Sequence, residues 1–238
     1  HSVFKKYAFV IERRMLFMFN SIVTISFGMQ KMLCTKGIAT ENITVIRNWV
    51  DTDRVTAARD CSWIRDDLGI SRSSFVVLYS GNIGAKQALG LLLDAAEACL
   101  GRHDLLFLIS GEGPDKGRLM SRYGHLRNVR FLPVQTEERF YALLNSADAH
   151  ILPQRSDTVD LMLPSKLGGM LASGKPCIVM ANEGTEIYNW LRSAAILVPT
   201  GKPDCLASAI VRLADGTISV DSAAQLEAAK LLDSKRSL

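Results

Sequence analysis

The sequence predicts an α/β fold built on a largely parallel sheet with helices on both faces. From about residue 21 onward, short apolar runs alternate with amphipathic segments of helical length. Strands separated by such helices imply right-handed crossovers between parallel neighbours. The runs "FVVLY" (75–79) and "LLFLI" (105–109) are apolar without alternation, which is typical of strands that helices cover on both faces.

Each predicted strand is a short apolar run bounded by turn-forming or polar residues. The strands are predicted at 22–25, 43–46, 75–79, 105–109, 129–132, 149–152, 177–180 and 196–198. Helical patterns fill most of the gaps, notably 88–100, 137–146 and 204–213. Near "VIRNWVDTD" (45–53), Trp49, Asp51 and Asp53 interrupt the apolar pattern. We therefore expect two parts, residues 1–47 and residues 48–238.

Composition narrows the function classes. The chain has 238 residues, of which 48% are hydrophobic and 7% aromatic, and this favours a soluble protein with a sizeable core. Its histidines are scattered, and its cysteines lie far apart in no C-x-x-C pair, at Cys34, Cys61, Cys99, Cys177 and Cys205. The pattern predicts neither a disulfide framework nor a metal site and favours the reducing cytoplasm. The net charge of +4 permits anionic ligands without indicating nucleic acid.

The N-terminal segment mixes basic and apolar side chains. Lys5, Lys6, Arg13 and Arg14 stand among Phe4, Tyr7, Phe9, Leu16 and Phe17. Two interpretations are open: a helix lying on an anionic membrane surface, or a helix with one buried face. The apolar stretch 15–29 contains polar residues and is shorter than the roughly 20 residues that a membrane span needs. Because the chain starts inside a helical pattern without a recognisable signal peptide, we expect a fragment that lacks a preceding segment.

Irregular residues collect after four of the predicted strands. The loops are "SGNIGAKQ" (80–87), "SGEGPDKG" (110–117), "PVQ" (133–135) and "PQRSDTVDLMLPSK" (153–166). In an open parallel sheet, ligands bind where the carboxyl ends of the strands lead into helices. If these strands are neighbours, the four loops line one rim, and the sequence predicts a binding site there.

The first of these loops carries Gly81, Asn82, Gly84 and Lys86 ahead of a helix. Glycines let backbone N–H groups approach an anion, and the lysine adds a full positive charge. The spacings G-x-x-x-x-G-K-[ST] and G-x-G-x-x-G are both absent. A tight turn without a ligand is therefore the alternative interpretation, and a turn is sufficient to explain "GEGP" (111–114).

The stretch "LPSKLGGMLASGKP" (163–176) predicts a short helix that opens at Pro164, with Ser165 available as a cap. Lys166 in the first turn opposes the helix dipole, which is reasonable if an anionic ligand lies beside it. The alternative is a lysine that reaches solvent. Glycine in a helix costs roughly 1 kcal/mol relative to alanine, so either packing or a ligand needs the space at Gly168 and Gly169. In the second case the two glycines would let a ligand or the neighbouring glycine loop come near the helix backbone.

Two carboxylates precede this helix, Asp157 and Asp160. They are suited to accept hydrogen bonds from hydroxyl groups, or else they are solvated loop residues. Lysines and backbone amides around an anion, with carboxylates nearby, describe a site for a phosphorylated, sugar-like ligand.

Several segments together resemble the C-terminal half of family 4 glycosyltransferases. They are "VIRNWVD", "YSGNIGAKQALGLLLDAAE", "LISGEGPDKGRL", "NVRFLPVQTEERFYALLNSADAHILPQ", "PSKLGGMLASGKP" and "GTE", in this order. The nearest group is similar to colanic acid and related exopolysaccharide or O-antigen transferases. The resemblance implies the two-domain GT-B fold and retaining, metal-independent transfer from a nucleotide diphosphate sugar. Residues 1–47 would end an acceptor-side domain that is mostly missing, and residues 48–238 would form the Rossmann-like donor-binding domain.

The same resemblance implies roles for individual residues. Lys86 and Lys166 are the candidate catalytic residues, and the implied donor-binding set is Gly81, Asn82, Gly84, Lys86, Val134, Gln135, Asp160, Pro164, Ser165 and Lys166. Val134 and Gln135 would lie near the base, and Pro164, Ser165 and Lys166 near the phosphates or the sugar.

Two positions depart from the family pattern. Asn82 stands where the family usually has an arginine, and Gly169 stands where it has the glutamate that binds the ribose. The first glutamate of the family pair falls near Leu161, and Asp160 is the nearest carboxylate.

The resemblance thus implies a donor-binding half that transfers a sugar to a growing, lipid-linked surface polysaccharide. The implied partners are a nucleotide-sugar donor, a saccharide or lipid-linked acceptor and a peripheral membrane contact, with no cofactor and no nucleic acid. The implied location is cytoplasmic, at the inner face of the plasma membrane. Two alternatives stay open: a sugar-nucleotide 2-epimerase of the same architecture, and a non-catalytic or degenerate nucleotide-sugar-binding module.

Overall fold

The chain divides into two compact units in a computed structural model that describes residues 2–58, 61–155 and 163–237. The first unit extends to Asn48 and also contains Leu163 and Pro164; the second begins at Trp49 and contains the other described residues. The unit boundary thus lies one residue from the sequence-based one. The assignment of the two parts to an acceptor side and a donor side stays a prediction.

The first unit is a small α/β fragment. Its elements are α1 (Ser2–Leu16), β1 (Ile22–Thr24), α2 (Phe27–Thr35), a 3-10 turn (Thr40–Asn42) and β2 (Ile43–Val45). β1 and β2 pair in parallel, with Ile22 opposite Ile43. Ser26 caps α2, because its hydroxyl accepts a hydrogen bond from the backbone N–H of Met29 at 3.0 Å. Leu33, Ile38 and Ile43 form its buried core.

The second unit alternates strands and helices throughout. Its elements are α3 (Thr52–Ala57), α4 (Ser62–Asp67), β3 (Phe75–Ser80), a 3-10 turn (Ala85–Gln87), α5 (Leu89–Ala98), β4 (Leu105–Ser110), α6 (Lys116–Tyr123), β5 (Val129–Leu132), α7 (Glu137–Ser146), β6 (Ala149–Leu152), α8 (Leu167–Ala172), β7 (Cys177–Met180), α9 (Glu186–Leu191), β8 (Ile196–Val198), α10 (Pro203–Ala214), α11 (Ser222–Lys230) and α12 (Ser234–Ser237). Asp51, one of the residues that interrupts the apolar pattern, is the N-cap of α3 and accepts a hydrogen bond from the N–H of Arg54.

Strands β3 to β8 form one parallel sheet in the order β5-β4-β3-β6-β7-β8. The predicted α/β fold with a parallel, Rossmann-like sheet is thereby confirmed. The chain moves outward from β3 through β4 to β5 and then returns to the other side of β3 with β6. In an open sheet such a switch point leaves a crevice at the carboxyl ends of the two central strands.

The core lies on both faces of this sheet because side chains alternate along each strand. Val77 and Tyr79 of β3 pack on the face covered by α5, α6 and α10. Val76 and Leu78 pack on the opposite face, against Leu143 of α7. These strand residues are at most 1% exposed. The register therefore fixes Tyr79 in the core with its hydroxyl near the carboxyl end of β3.

Candidate functional site

The loops that follow β3 and β4 lie backbone against backbone. Gly81 N–H donates to Ser110 O at 2.9 Å, and Ile83 N–H donates to Glu112 O at 2.8 Å. A Cβ atom on Gly111 would lie 1.9 Å from Gly81 O, and one on Gly113 would lie 2.2 Å from Ile83 O. The explanation of "GEGP" as a simple turn is therefore incomplete. Its two glycines make room for the neighbouring loop.

The loop after β5 joins the same rim. Gly111 N–H donates to Leu132 O at 3.2 Å, and the Ser110 hydroxyl donates to Pro133 O at 3.2 Å. Lys116 Nζ donates to Gly111 O at 3.0 Å and pairs with Glu112 at 2.5 Å. Three of the four predicted loops thus form one connected edge at the carboxyl ends of the central strands.

Lys166 reaches this edge and lies against the first loop. Its ammonium donates a hydrogen bond to the Tyr79 hydroxyl, and Nζ lies 4.0 Å from the centre of the Tyr79 ring. A Cβ atom on Gly81 would lie 3.0 Å from Lys166 Nζ. The Tyr79 hydroxyl in turn donates to Asn82 O at 2.6 Å. The structure therefore brings together Gly81, Asn82 and Lys166, three residues of the predicted site, through a fourth that was not predicted.

Among the described residues, no opposite charge pairs with the ammonium of Lys166. Burial lowers the pKa of Lys166 to about 8 and raises the pKa of Tyr79. Within the described part of the chain, no carboxylate lies within ion-pair distance of Lys166. A partly buried cation without a counter-ion at a strand's carboxyl end is the arrangement of an anion-binding site.

The rest of the first loop is more open. Lys86 is exposed on the 3-10 turn Ala85–Gln87. A Cβ atom on Gly84 would lie 3.1 Å from Gln87 Oε1 and 3.2 Å from Asn82 Nδ2. Gln87 Oε1 is buried without a hydrogen-bond partner, and Ala88 adopts the left-handed conformation with φ 51°. For an alanine this conformation carries strain, which is common near ligand sites.

The two predicted base-side residues differ in environment. Val134 is 65% exposed on the loop after β5. Gln135 Nε2 donates to Pro133 O at 2.8 Å, and its Oε1 accepts a hydrogen bond from Arg139 at 3.1 Å. The Gln135 side chain is therefore held locally, whereas Val134 presents an apolar surface to solvent.

The predicted helix opening at Pro164 is wrong in detail. α8 begins at Leu167, Ser165 and Lys166 form a turn before it, and no side chain caps it. Pro164 groups with the first unit and Ser165 is exposed in the second. The proposed carboxylates Asp157 and Asp160 lie outside the described residues, as does Leu161.

Of the two explanations for Gly168 and Gly169, the structure supports packing rather than the approach of a ligand. Both are buried, and Cβ atoms on them would lie 2.8 Å from Val50 Cγ1 and 3.1 Å from Leu144 Cδ1, respectively. Side chains of the same unit, partly buried Val50 and buried Leu144, occupy the space that these glycines leave. Neither residue admits a ligand or the glycine loop.

Tyr79 is the site residue that sequence reasoning missed. Its only signal is a tyrosine next to last in the aliphatic strand "FVVLYS", directly ahead of the glycine loop. Among the described residues, no group of His, Cys, Asp or Glu is arranged to hold a metal ion, and no two cysteines form a disulfide. A search of the described helices finds none with the length and apolar character to cross a membrane.

The family model and the relative that match this chain in sequence are both described as glycosyl transferases. The family described as "Glycosyl transferases group 1" matches residues 74–216. The chain is 36% identical over 184 residues to WcaI of Escherichia coli (strain K12), to which the role of a colanic acid biosynthesis glycosyl transferase is assigned. That match covers 76% of this chain and 45% of WcaI, so the chain spans about half of this relative.

Solved structures show the same fold. Anabaena Alr3699/HepE in complex with UDP-glucose has a TM-score of 0.75 at 19% identity, over 92% of this chain and 61% of that one. Sucrose-phosphate synthase from Thermosynechococcus elongatus has a TM-score of 0.73 at 18% identity, over 98% and 59%. A glycosyltransferase from Rickettsia africae has a TM-score of 0.68 at 14% identity, over 90% and 58%.

Proposed function

Because the chain belongs to the group 1 glycosyltransferases, we propose that its second unit is the donor-binding part of an enzyme that transfers a sugar from a nucleotide diphosphate sugar. The observation that carries the proposal is the ammonium of Lys166, held beside Gly81 without a carboxylate partner among the described residues. A diphosphate supplies the missing negative charge. Anabaena HepE, which has the same fold, was solved with UDP and with UDP-glucose.

The proposed chemistry is electrostatic. When the bond between the sugar and the diphosphate breaks, negative charge grows on the leaving phosphate oxygens. A fixed positive group stabilises the transition state, in which this charge has grown, more than it stabilises the bound donor, and this lowers the barrier. Lys166 supplies such a group, and exposed Lys86, on the loop after β3, supplies a second. Transfer with retention of configuration and without a metal is proposed from the family resemblance.

The remaining donor contacts are proposed around this centre. Asn82 and Gly84 border the phosphates, and the exposed side chain of Val134 offers an apolar face for the base, with Gln135 behind it. Pro164, Ser165 and Asp160 are proposed on the sugar and ribose side from the resemblance alone. The unpartnered Gln87 Oε1 provides an acceptor for a donor hydroxyl.

The proposed acceptor is a saccharide carried on a lipid at the inner face of the plasma membrane. Support comes from α1, where Tyr7, Ile11 and Met15 are 55 to 67% exposed. These side chains recur every four residues on one face of the helix, while Arg13 and Arg14 add positive charge. An apolar stripe with adjacent basic residues fits an anionic membrane surface. Sedimentation with vesicles of anionic lipid, compared with neutral vesicles, tests this part separately.

Thermal unfolding with UDP, GDP, ADP and dTDP, each without added metal, tests the donor site. A nucleotide present at 100 times its Kd stabilises the fold by roughly 2.7 kcal/mol, so we expect one of them to raise the melting temperature. Lys166→Met should remove the shift and Lys86→Ala should reduce it. Lys31→Met, which removes an exposed lysine of α2, is the matched control and should keep it.

The outcome separates the candidate functions. A shift that persists in Lys166→Met would refute this site, and no shift with any nucleotide would refute donor binding by this chain. Product analysis of the full-length enzyme then distinguishes transfer from 2-epimerisation. Binding without either product would identify a non-catalytic nucleotide-sugar module.

A further inference from the structure

We propose that Tyr79 is the positioning residue of this site: it holds the amine of Lys166 against the Gly81 loop, and a bound diphosphate draws a proton onto that amine. The inference rests on the proposed function and goes beyond it, because Tyr79 is not among the proposed donor contacts. In this proposal, the buried Tyr79 helps to set both the protonation state and the position of the Lys166 amine.

The Tyr79 hydroxyl is fully used by two partners. It has one proton, which goes to Asn82 O at 2.6 Å, and its lone pair accepts the hydrogen bond from Lys166. The side chain is 1% exposed and lies in the β3 register opposite Ile109. Strand pairing therefore fixes the hydroxyl, and the hydroxyl fixes both the loop backbone and the lysine.

The ring of Tyr79 contributes separately from its hydroxyl. Lys166 Nζ lies 4.0 Å from the ring centre, within the range of a cation–π contact. On the other side, Gly81 has no side chain that would collide with the lysine. A Cβ atom on Gly81 would lie 3.0 Å from both Cε and Nζ of Lys166. The amine is thus confined between an aromatic ring and a glycine backbone.

No opposite charge balances the amine among the described residues around it. Tyr79 lies on β3 and Lys86 on the first loop, and the loop after β4 carries Glu112, Asp115 and Lys116. Glu112 pairs with Lys116 at 2.5 Å, and Asp115 pairs with Arg118 at 3.4 Å. Burial is the cause that lowers the pKa of Lys166 to about 8. Near pH 8 the free protein therefore holds this amine partly neutral. A diphosphate beside it restores the charged form, so binding above pH 8 takes up a proton.

Calorimetry of nucleotide binding at pH 8.5 in two buffers of different ionisation enthalpy measures this proton. The probe is the nucleotide, among UDP, GDP, ADP and dTDP, that stabilises the chain most. We expect uptake of a substantial fraction of one proton by the wild type and none by Lys166→Met.

Tyr79→Phe keeps the ring but removes the hydroxyl. It should weaken nucleotide binding at pH 8 about tenfold, the effect of one hydrogen bond to a charged group. It should also move the pH midpoint of the affinity downward.

Tyr123→Phe is the matched control. Tyr123 is also buried, and its hydroxyl donates to the carboxylate of Asp94 at 2.6 Å, away from Lys166. This variant should leave the affinity, the proton uptake and the pH midpoint as they are in the wild type.

The outcomes distinguish the two proposals. If none of the four nucleotides binds the wild type, the proposed function fails and this inference fails with it. If a nucleotide binds with no proton uptake, or if Tyr79→Phe matches Tyr123→Phe in affinity and pH midpoint, only this inference is overturned. Should Tyr79→Phe not fold, equal proton uptake by the wild type and Lys166→Met still refutes it.

Discussion

Gly111 lies so close to Gly81 that a Cβ atom on Gly111 would be 1.9 Å from the Gly81 carbonyl oxygen. Gly111 also has φ +145°, a backbone conformation that residues with a side chain rarely adopt. The contact joins the loops after β3 and β4 at the edge where Lys166 lies. The shape of the site therefore depends on the absence of a single side chain.

Gly111→Ala should destabilise the chain, because backbone atoms cannot move aside as a flexible side chain can. Conformational strain and overpacking each cost about 1–3 kcal/mol, so we expect a loss of several kcal/mol in urea denaturation. Gly117→Ala is the control: Gly117 lies in α6, and an added Cβ atom there would meet nothing within 4 Å. It should be neutral or stabilising by up to about 1 kcal/mol. Equal stability of the two variants would contradict the contact.

Gly168→Ala should be destabilising through Val50 rather than through a ligand. The added Cβ atom would lie 2.8 Å from Val50 Cγ1, and overpacking of this kind costs about 1–3 kcal/mol. In a Val50→Ala background the Cγ1 contact is removed and only the Cβ atom of residue 50 remains close, at 3.1 Å, so the same substitution should be less destabilising. A double-mutant cycle measures the coupling. Additive effects would show that the two side chains do not compete for this space.

Arg65→Ala should cost about 2 kcal/mol of unfolding free energy. Its guanidinium bonds Asp148 at 2.6 Å and Ser146 O at 2.8 Å, and its side chain is 18% exposed. Hydrogen bonds to charged groups in such settings contribute about 1.5–3 kcal/mol. Arg54→Ala removes an exposed pair with Glu137 and should cost under about 1 kcal/mol. Chemical denaturation measures the unfolding free energy of both variants. Similar losses of unfolding free energy would contradict the expectation that the less exposed ion pair of Arg65 contributes more than the exposed pair of Arg54.

His150 should make the fold less stable as the pH falls. The side chain is fully buried against Ser173, and burial lowers its pKa from 6.5 to about 3. Between these values the unfolded chain binds a proton that the folded chain does not, so stability is lost as the pH falls below about 6.5. Relative to His150→Gln, the wild type should lose roughly 1.4 kcal/mol per pH unit between pH 6 and pH 4. If the unfolding free energy of the two proteins depended on pH in the same way, His150 would not be the group responsible.

Local pattern was sufficient for much of the fold. Four strands were predictable to the residue from short, mainly apolar runs between turn-forming or polar residues: Val129–Leu132, Ala149–Leu152, Cys177–Met180 and Ile196–Val198. The other four strands end one residue earlier or later in the structure than predicted. β3 and β4 include one more residue, a polar serine that pairs, and β1 and β2 end one residue earlier. The alternation of strands and helices likewise implied that several loops would share one edge.

The amino-acid pattern was enough to predict the α/β class, the positions of the strands, the glycine loop at Gly81 and the presence of Lys166 near the predicted site. The contacts of each of these residues, in contrast, followed from the tertiary structure. Tyr79 and Lys166 are 87 positions apart, and their contact exists because β3 carries the tyrosine to the edge that the turn before α8 reaches. Gly168 meets Val50 and Gly111 meets Gly81 for the same reason. Spacing along a chain encodes the period of a helix or strand, whereas steric room and charge pairing depend on which distant segments the packing brings together.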